Sequence, residues 1–309
     1  MRWFDLSRWW DRQKNDSVRG DRRRRQSGRS TRARRGKAAQ QPESLESRLV
    51  LSTSFVTNAQ GTIQVSSLMP MVKLGNSVYF YGQGQANEGY ELFKSDGTAA
   101  GTGIVKDINP GGPSSIVSTS SFGGQTMMAA AGSYVYFVAD DGTHGPELWK
   151  TDGTDAGTQM VRDIRPGTSS GNINYLTNVN GTLFFAANDG SFGNELWKSD
   201  GTQSGTTVVR DIYPGSFNSW PEYLTNVNGT LYFQALSPNS GWEIWKSDGS
   251  SSGTVLVKDL VSGGISSFPS NFVDMGNGKA FFTAYTSSTG YEPWVTDGTS
   301  SGTFMLRDV

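Results

Sequence analysis

The sequence predicts an all-β fold: five tandem four-stranded units behind a disordered basic arm. Three observations carry this. One eight-residue anchor recurs five times at a near-fixed spacing. A short aromatic run precedes each anchor, and a β-branched run follows it. Glycine (39 of 309 residues) punctuates these runs, the pattern of short strands and tight turns rather than helices.

The arm comes first in the chain. Residues 1–40 hold 14 Arg or Lys against 4 Asp, and the rest holds 13 against 24, so a formal net charge of -1 hides two electrostatic objects joined end to end. Residues 11–43 are polar and Arg-rich, with Arg22 to Arg25 consecutive. Such a segment cannot bury enough surface to offset its ordering entropy and is expected to be disordered. Trp3, Phe4, Leu6, Trp9 and Trp10 could form a short amphipathic turn at a membrane surface. No apolar core of secretory-signal length follows the basic start, and no stretch is long enough to cross a bilayer. A basic arm can neutralise phosphates, but no base-reading module follows and the body is acidic, so a nucleic-acid partner is not expected.

The arm ends in Glu43-Ser44-Leu45-Glu46-Ser47-Arg48-Leu49-Val50-Leu51. This stretch resembles the LEPR-XLL segment found near the N-terminus of many planctomycete surface or secreted proteins. It departs at Ser47, where that family usually has proline, and at Val50, where it usually has leucine. The resemblance implies export, to a cell surface or the medium, by a route that ordinary signal-peptide rules miss. Residues 1–53 are therefore assigned to the arm and 54–309 to the repeat domain.

The anchor reads ELFKSDGT at 91–98, ELWKTDGT at 147–154, ELWKSDGT at 195–202, EIWKSDGS at 243–250 and EPWVTDGT at 292–299. Its glutamates lie 56, 48, 48 and 49 residues apart, a period that signals stacked supersecondary units. Each unit reads as strand, turn, aromatic strand, loop, Glu-x-Trp strand, Asp-Gly-Thr turn, final strand. Four strands in about 48 residues is the size of a propeller blade. The units span about 68–108, 122–164, 173–212, 221–260 and 270–309, as a five-bladed ring or an open arc. Residues 54–66 alternate around Thr62-Ile63-Gln64-Val65 and could pair with a terminal blade and close the ring.

A four-residue loop at the Asp-Gly-Thr turn sets the register of the last hairpin. Trp149 then faces Met160, Trp197 faces Val208, Trp245 faces Leu256 and Trp294 faces Met305. The hydroxyl pairs Thr151–Thr158 and Ser199–Thr206 recur. The same register opposes Glu91 to Lys106, Glu147 to Arg162, Glu195 to Arg210, Glu243 to Lys258 and Glu292 to Arg307. Such facing pairs stabilise strands by about 0.2–1 kcal/mol each, and a buried glutamate would need its basic partner.

These residues closely resemble the ELWxxDGT repeat of bacterial surface and secreted proteins. The resemblance covers about residues 68–309 and implies a propeller-like fold with no catalytic residues to carry over. The first copy departs with Phe93 for tryptophan, the fifth with Pro293 and Val295.

The chemistry available is limited. Cysteine is absent and His144 is the single histidine, in a loop between strands two and three. Disulfides, thiol nucleophiles and His-rich zinc sites are excluded. Each Asp-Gly-Thr turn offers one carboxylate, whereas calcium takes six to eight oxygens. A self-bonded Asp turn is therefore favoured over calcium, and no cofactor is expected. The acids that break the repeat, Glu88, Asp155, Glu222 and Asp274, scatter over different units. The aromatics that break it, Trp220, Trp242 and Tyr291, are the candidate ligand-binding residues, since exposed aromatics grip glycan and protein surfaces. The leading expectation is a non-catalytic exported binding or adhesion module with a protein or glycan surface partner. The alternatives are a propeller enzyme acting on polysaccharide, as a lyase or glycosidase, and an intracellular scaffold whose arm docks on nucleic acid.

Overall fold

The computed structural model describes residues 70–83, 89–111, 114–116 and 127–308, with the backbone of two strands at 55–58 and 61–65. The basic arm and the LEPR-XLL-like segment lie outside the described residues. Within them every regular element is a strand, and no helix is long and apolar enough to cross a membrane.

Five antiparallel sheets follow one another along the chain. Blade one holds β3 (Val72–Leu74), β4 (Ser77–Gln83), β5 (Tyr90–Ser95) and β6 (Gly103–Lys106). Blade two holds β7 (Met128–Ala131), β8 (Tyr134–Asp140), β9 (Pro146–Thr151) and β10 (Gln159–Arg162). Blade three runs through β11 (Asn174–Val179), β12 (Thr182–Asn188), β13 (Asn194–Ser199) and β14 (Thr207–Arg210). Blade four follows as β15 (Glu222–Val227), β16 (Thr230–Ser237), β17 (Gly241–Ser247) and β18 (Val255–Lys258). Blade five comprises β19 (Ser270–Asp274), β20 (Ala280–Thr286), β21 (Gly290–Thr296) and β22 (Phe304–Met305). The first strands β3, β7, β11, β15 and β19 lie side by side in sequence order, the arrangement of a β-propeller. A hairpin of β1 (Phe55–Asn58) and β2 (Gly61–Val65) joins blade one, where Gln64 and Val65 pair with Gln83 and Gly82 of β4. That sheet contains no strand of blade five among the described residues, so the hairpin extends a terminal blade without bridging the two ends.

Alternation along each strand sends side chains to two faces, and both are apolar because each blade is sandwiched. The core accordingly divides into one cluster per blade interface. Tyr79, Tyr81, Leu92 and Val105 of blade one meet Val135, Phe137, Ala139 and Trp149 of blade two. The pattern repeats at the next three interfaces, each time burying the tryptophan of the later blade.

The hairpin register holds at its centre and fails at its end. Trp149, Trp197, Trp245 and Trp294 face Met160, Val208, Leu256 and Met305 as expected. The hydroxyl pairs are present at 2.7 Å in blades two and three. The Glu–basic pairs are not. A β-bulge inserts one residue after the Trp position, so Lys106, Arg162, Arg210 and Lys258 face Leu92, Leu148, Leu196 and Ile244 instead. A one-residue insertion turns the basic side chain to the other face. There it reaches into the following blade: Arg162 donates to Thr206 O at 2.6 Å, Arg210 to Thr254 O at 2.6 Å, Lys258 to Thr303 O at 2.7 Å and Lys106 to Thr158 O at 3.2 Å. A second rung runs beside it, with Lys94, Lys150, Lys198 and Lys246 donating to Gly153, Gly201, Gly249 and Gly298 carbonyls. In the fifth copy β22 ends before Arg307, which is exposed, and Glu292 is buried at 3 % exposure.

The freed glutamates do different work. Glu91, Glu147, Glu195 and Glu243 are fully buried and tie down the loop that leads to the next blade. Glu195 accepts from the Ile212 amide at 2.9 Å, the Ser219 amide at 3.1 Å and the Ser219 hydroxyl at 2.6 Å. Glu243 repeats this with Leu260 and Ser267. Burial pushes all four carboxyls up to about 7, against the opposing pull of these donors.

The Asp-Gly-Thr turns are self-contained. Asp96 accepts from the Thr98 amide at 2.9 Å and the Thr98 hydroxyl at 2.7 Å, and Gly97 takes φ +91°. Asp152, Asp200, Asp248 and Asp297 repeat the turn. These bonds hold each carboxyl below its ordinary value.

Candidate functional site

One rim of the array carries the loops between strands two and three and the crossovers entering each first strand. The crossover geometry repeats, and it is strained. Asn172, Trp220 and Phe268 sit at φ +50°, +46° and +47°, and Tyr175, Tyr223 and Asn271 at +58°, +57° and +57°. Left-handed backbone at bulky aromatics costs on the order of 1–3 kcal/mol and clusters at functional sites. The fold holds these residues there by fixing their neighbours. Ser219, one residue before Trp220, is buried on Glu195, while the Ser219 and Trp220 amides share the Asn194 carbonyl at 3.0 and 3.2 Å. Ser267 and Phe268 repeat this on the Trp242 carbonyl.

The consequence is an aromatic surface running across blades three, four and five. Trp220, Tyr223 and Phe268 are 40–44 % exposed and Tyr291 is 62 % exposed. The Tyr223 ring lies 6.0 Å from Tyr175, and Tyr291 lies 5.4 Å from Tyr285. Burial raises the Tyr223 phenol, and the negative charge of Glu222 raises it further. A separate 520 Å³ groove is lined by Leu260, Val261, Ile265, Thr286, Trp294 and Met305, among others, and by none of these exposed aromatics.

Glu222 is the ionisable group of this surface. It is half-buried, and burial raises its carboxyl above the ordinary value. Gln234, directly across the strand pair, donates to it at 2.8 Å. Gln234 is itself 5 % exposed, and its Oε1 has no bonding partner. The matching pair is Asn174 and Ala186 in blade three and Ser270 and Thr283 in blade five, so the carboxyl–amide pair belongs to blade four alone.

Of the aromatics expected to bind, Trp220 and Tyr291 are exposed on this rim. Trp242 is half-buried on β17 with its amide on Ser266 Oγ at 3.1 Å. Tyr223, Phe268 and Glu222 complete the surface. Their signal was the spacing: Tyr223 lies 48 residues after Tyr175, and Phe268 lies 48 after Trp220 in the same Ser-aromatic-Pro setting. The other pattern-breaking acids are elsewhere. Asp155 pairs with Lys106 at 3.1 Å, Asp274 caps a turn through the Gly276 amide, and Glu88 lies outside the described residues. His144 bonds Asp141 at 2.8 Å in its surface loop. No group of three or more metal-ligating side chains occurs among the described residues.

No family model matches the chain. No curated protein matches it either. Solved structures do. The array is similar to a puromycin hydrolase with TM-score 0.50 at 14 % identity, over 84 % of this chain and 40 % of that one. A prolyl endopeptidase gives 0.48 at 8 % identity, over 81 % and 36 %. Prolyl oligopeptidase B from Galerina marginata gives 0.44 at 13 % identity, over 77 % and 33 %. The chain thus spans about two fifths of the puromycin hydrolase it overlays. The shared property is the β-propeller fold. This corrects the leading functional expectation of a binding or adhesion module. The puromycin hydrolase it overlays is an enzyme, which stands closer to the enzyme alternative, and at 14 % identity the shared property is the fold.

Proposed function

We propose that the array is an enzyme-type propeller working on a polysaccharide chain at the blade three to five rim. The observation that carries this is Glu222: a non-repeated, half-buried carboxyl with a raised pKa, set among exposed aromatics held at positive φ. Stacking of sugar faces on Trp220, Tyr223 and Tyr291 would hold the chain, and a carboxyl raised by burial is suited to proton transfer to or from the bound sugar. A glycosidase needs two carboxylates about 5–9.5 Å apart. A lyase needs a base to take the ring proton and an acid for the leaving oxygen. Glu222 and Tyr223 supply that pair, which favours the lyase form.

The test is turnover of a panel of uronate-containing and neutral polysaccharides, followed by new reducing ends and by ultraviolet absorbance of an unsaturated product. Glu222→Gln is expected to reduce turnover by about 10²-fold or more while leaving the fold intact. Turnover of no polysaccharide by the native chain would overturn the proposal. A second reading follows from the puromycin hydrolase likeness, in which a propeller accompanies a catalytic part outside this span. It predicts peptide binding at the same rim without turnover by this chain, readable by calorimetry.

A further inference from the structure

An asparagine followed by glycine is chemically labile, because a glycine amide with no side chain beside it can reach the asparagine Cγ. The chain contains three such pairs, Asn180-Gly181, Asn228-Gly229 and Asn277-Gly278. Each lies in the turn between the first and second strands of its blade, in blades three, four and five. By sequence the three are equivalent, and the structure separates them.

In blades three and four the attacking nitrogen is held. The Gly181 amide donates to Asn178 Oδ1 at 2.8 Å, and the Gly229 amide donates to Asn226 Oδ1 at 2.9 Å. These clamps are themselves fixed to the preceding blade. Asn178 Nδ2 donates to Ala130 O at 2.8 Å, and Asn226 Nδ2 donates to Asn178 O at 3.0 Å. Blade five departs from this. Met275, 48 % exposed, stands three residues before Gly278, where the clamping asparagine stands before Gly181 and Gly229. A thioether is only a weak acceptor. Asn277 is exposed between two glycines at positive φ, Gly276 and Gly278. Its Oδ1 accepts from the Lys279 amide at 3.2 Å. That bond aims a donor at the oxygen that gains negative charge when Cγ is attacked.

We propose that Asn277 is a site of spontaneous covalent modification, and that Asn178 and Asn226 protect the two equivalent turns from it. Hydroxide takes the Gly278 amide proton, and the nitrogen bonds to Asn277 Cγ. The Cγ–Nδ2 bond breaks, and ammonia leaves with a proton from water, closing a succinimide ring. Water then opens the ring at either carbonyl, giving aspartate or isoaspartate. A neutral amide becomes a carboxylate in both products, and no oxidant or cofactor takes part. In blades three and four a hydrogen bond must break before attack, which slows it by about tenfold. This inference is independent of the rim chemistry.

The test is peptide mapping by mass spectrometry of the full native chain held in mildly alkaline buffer, with fragmentation that tells aspartate from isoaspartate. The Asn277 peptide is expected to gain about one mass unit, at a rate about tenfold or more above the Asn180 and Asn228 peptides. Asn226→Ala should raise the rate at Asn228 by about tenfold, with circular dichroism unchanged. Asn226→Asp keeps an acceptor on the Gly229 amide and should leave that rate as it is in the native chain. If Asn226→Ala fails to fold, Asn178→Ala carries the same expectation for Asn180. No conversion at Asn277, equal rates at all three asparagines, or an unchanged rate on removal of the clamp would each overturn the proposal.

Discussion

Trp220 shows what a single residue is asked to do in this array. Its backbone is held at φ +46° by its own amide bond and by the bonds of Ser219 before it, and its ring is left 40 % exposed. An aromatic contributing only packing would not be expected where the backbone favours glycine and the side chain meets solvent. Trp220→Gly separates the two possibilities. It removes the strain together with the ring, so the melting temperature is expected to hold or rise while polysaccharide turnover and binding fall by tenfold or more. A fall in melting temperature of several degrees with unchanged turnover would mean that Trp220 is a packing residue.

Elements are joined by side chains that point one way. Arg210 donates to Thr254 O at 2.6 Å and Ser251 O at 3.5 Å, and its guanidinium lies 5.9 Å from the Trp245 ring centroid. Arg210→Ala removes these bonds and is expected to cost about 1–3 kcal/mol in thermal or denaturant unfolding. Arg307→Ala, at the exposed counterpart, should stay within about 0.5 kcal/mol in dilute solution. Equal losses at both positions would mean that the bond to the next blade contributes nothing. This same element marks the limit of sequence reasoning. The Trp-to-aliphatic register and the hydroxyl pairs followed from counting residues outward from the turn. The Glu–basic pairs also followed from that counting and are absent, because a bulge leaves no mark in composition or spacing. The rim was half visible: Trp220 and Tyr291 stood out by breaking the repeat. Tyr223 and Phe268 were hidden by conforming to it, and Glu222 looked isolated until the strand pairing set it opposite Gln234.

At the scale of the whole molecule, four buried glutamates make the array sensitive to pH. Each is raised by burial from an ordinary 4.5 to about 7 in the folded chain. Between those values the folded state binds more protons than the unfolded one, so stability falls as pH rises. The contribution is fully present below about pH 4.5 and lost as pH rises through about 7. The melting temperature is therefore expected to be several degrees higher at pH 5 than at pH 8. A flat profile across that window would show that the loop amides hold these carboxylates charged. Because each blade contacts mainly its neighbours, stability should approximate a sum over blades and interfaces.

The rungs of Lys and Arg between blades all run from an earlier blade to a later one. Chains are made from the N-terminus, and domains generally fold in that order. Each blade leaving the ribosome therefore meets a finished surface, with the cation that will fasten it already in place. Growth of the array during synthesis can then proceed blade by blade, each new blade covering an apolar face already made and accepting from a cation already in place.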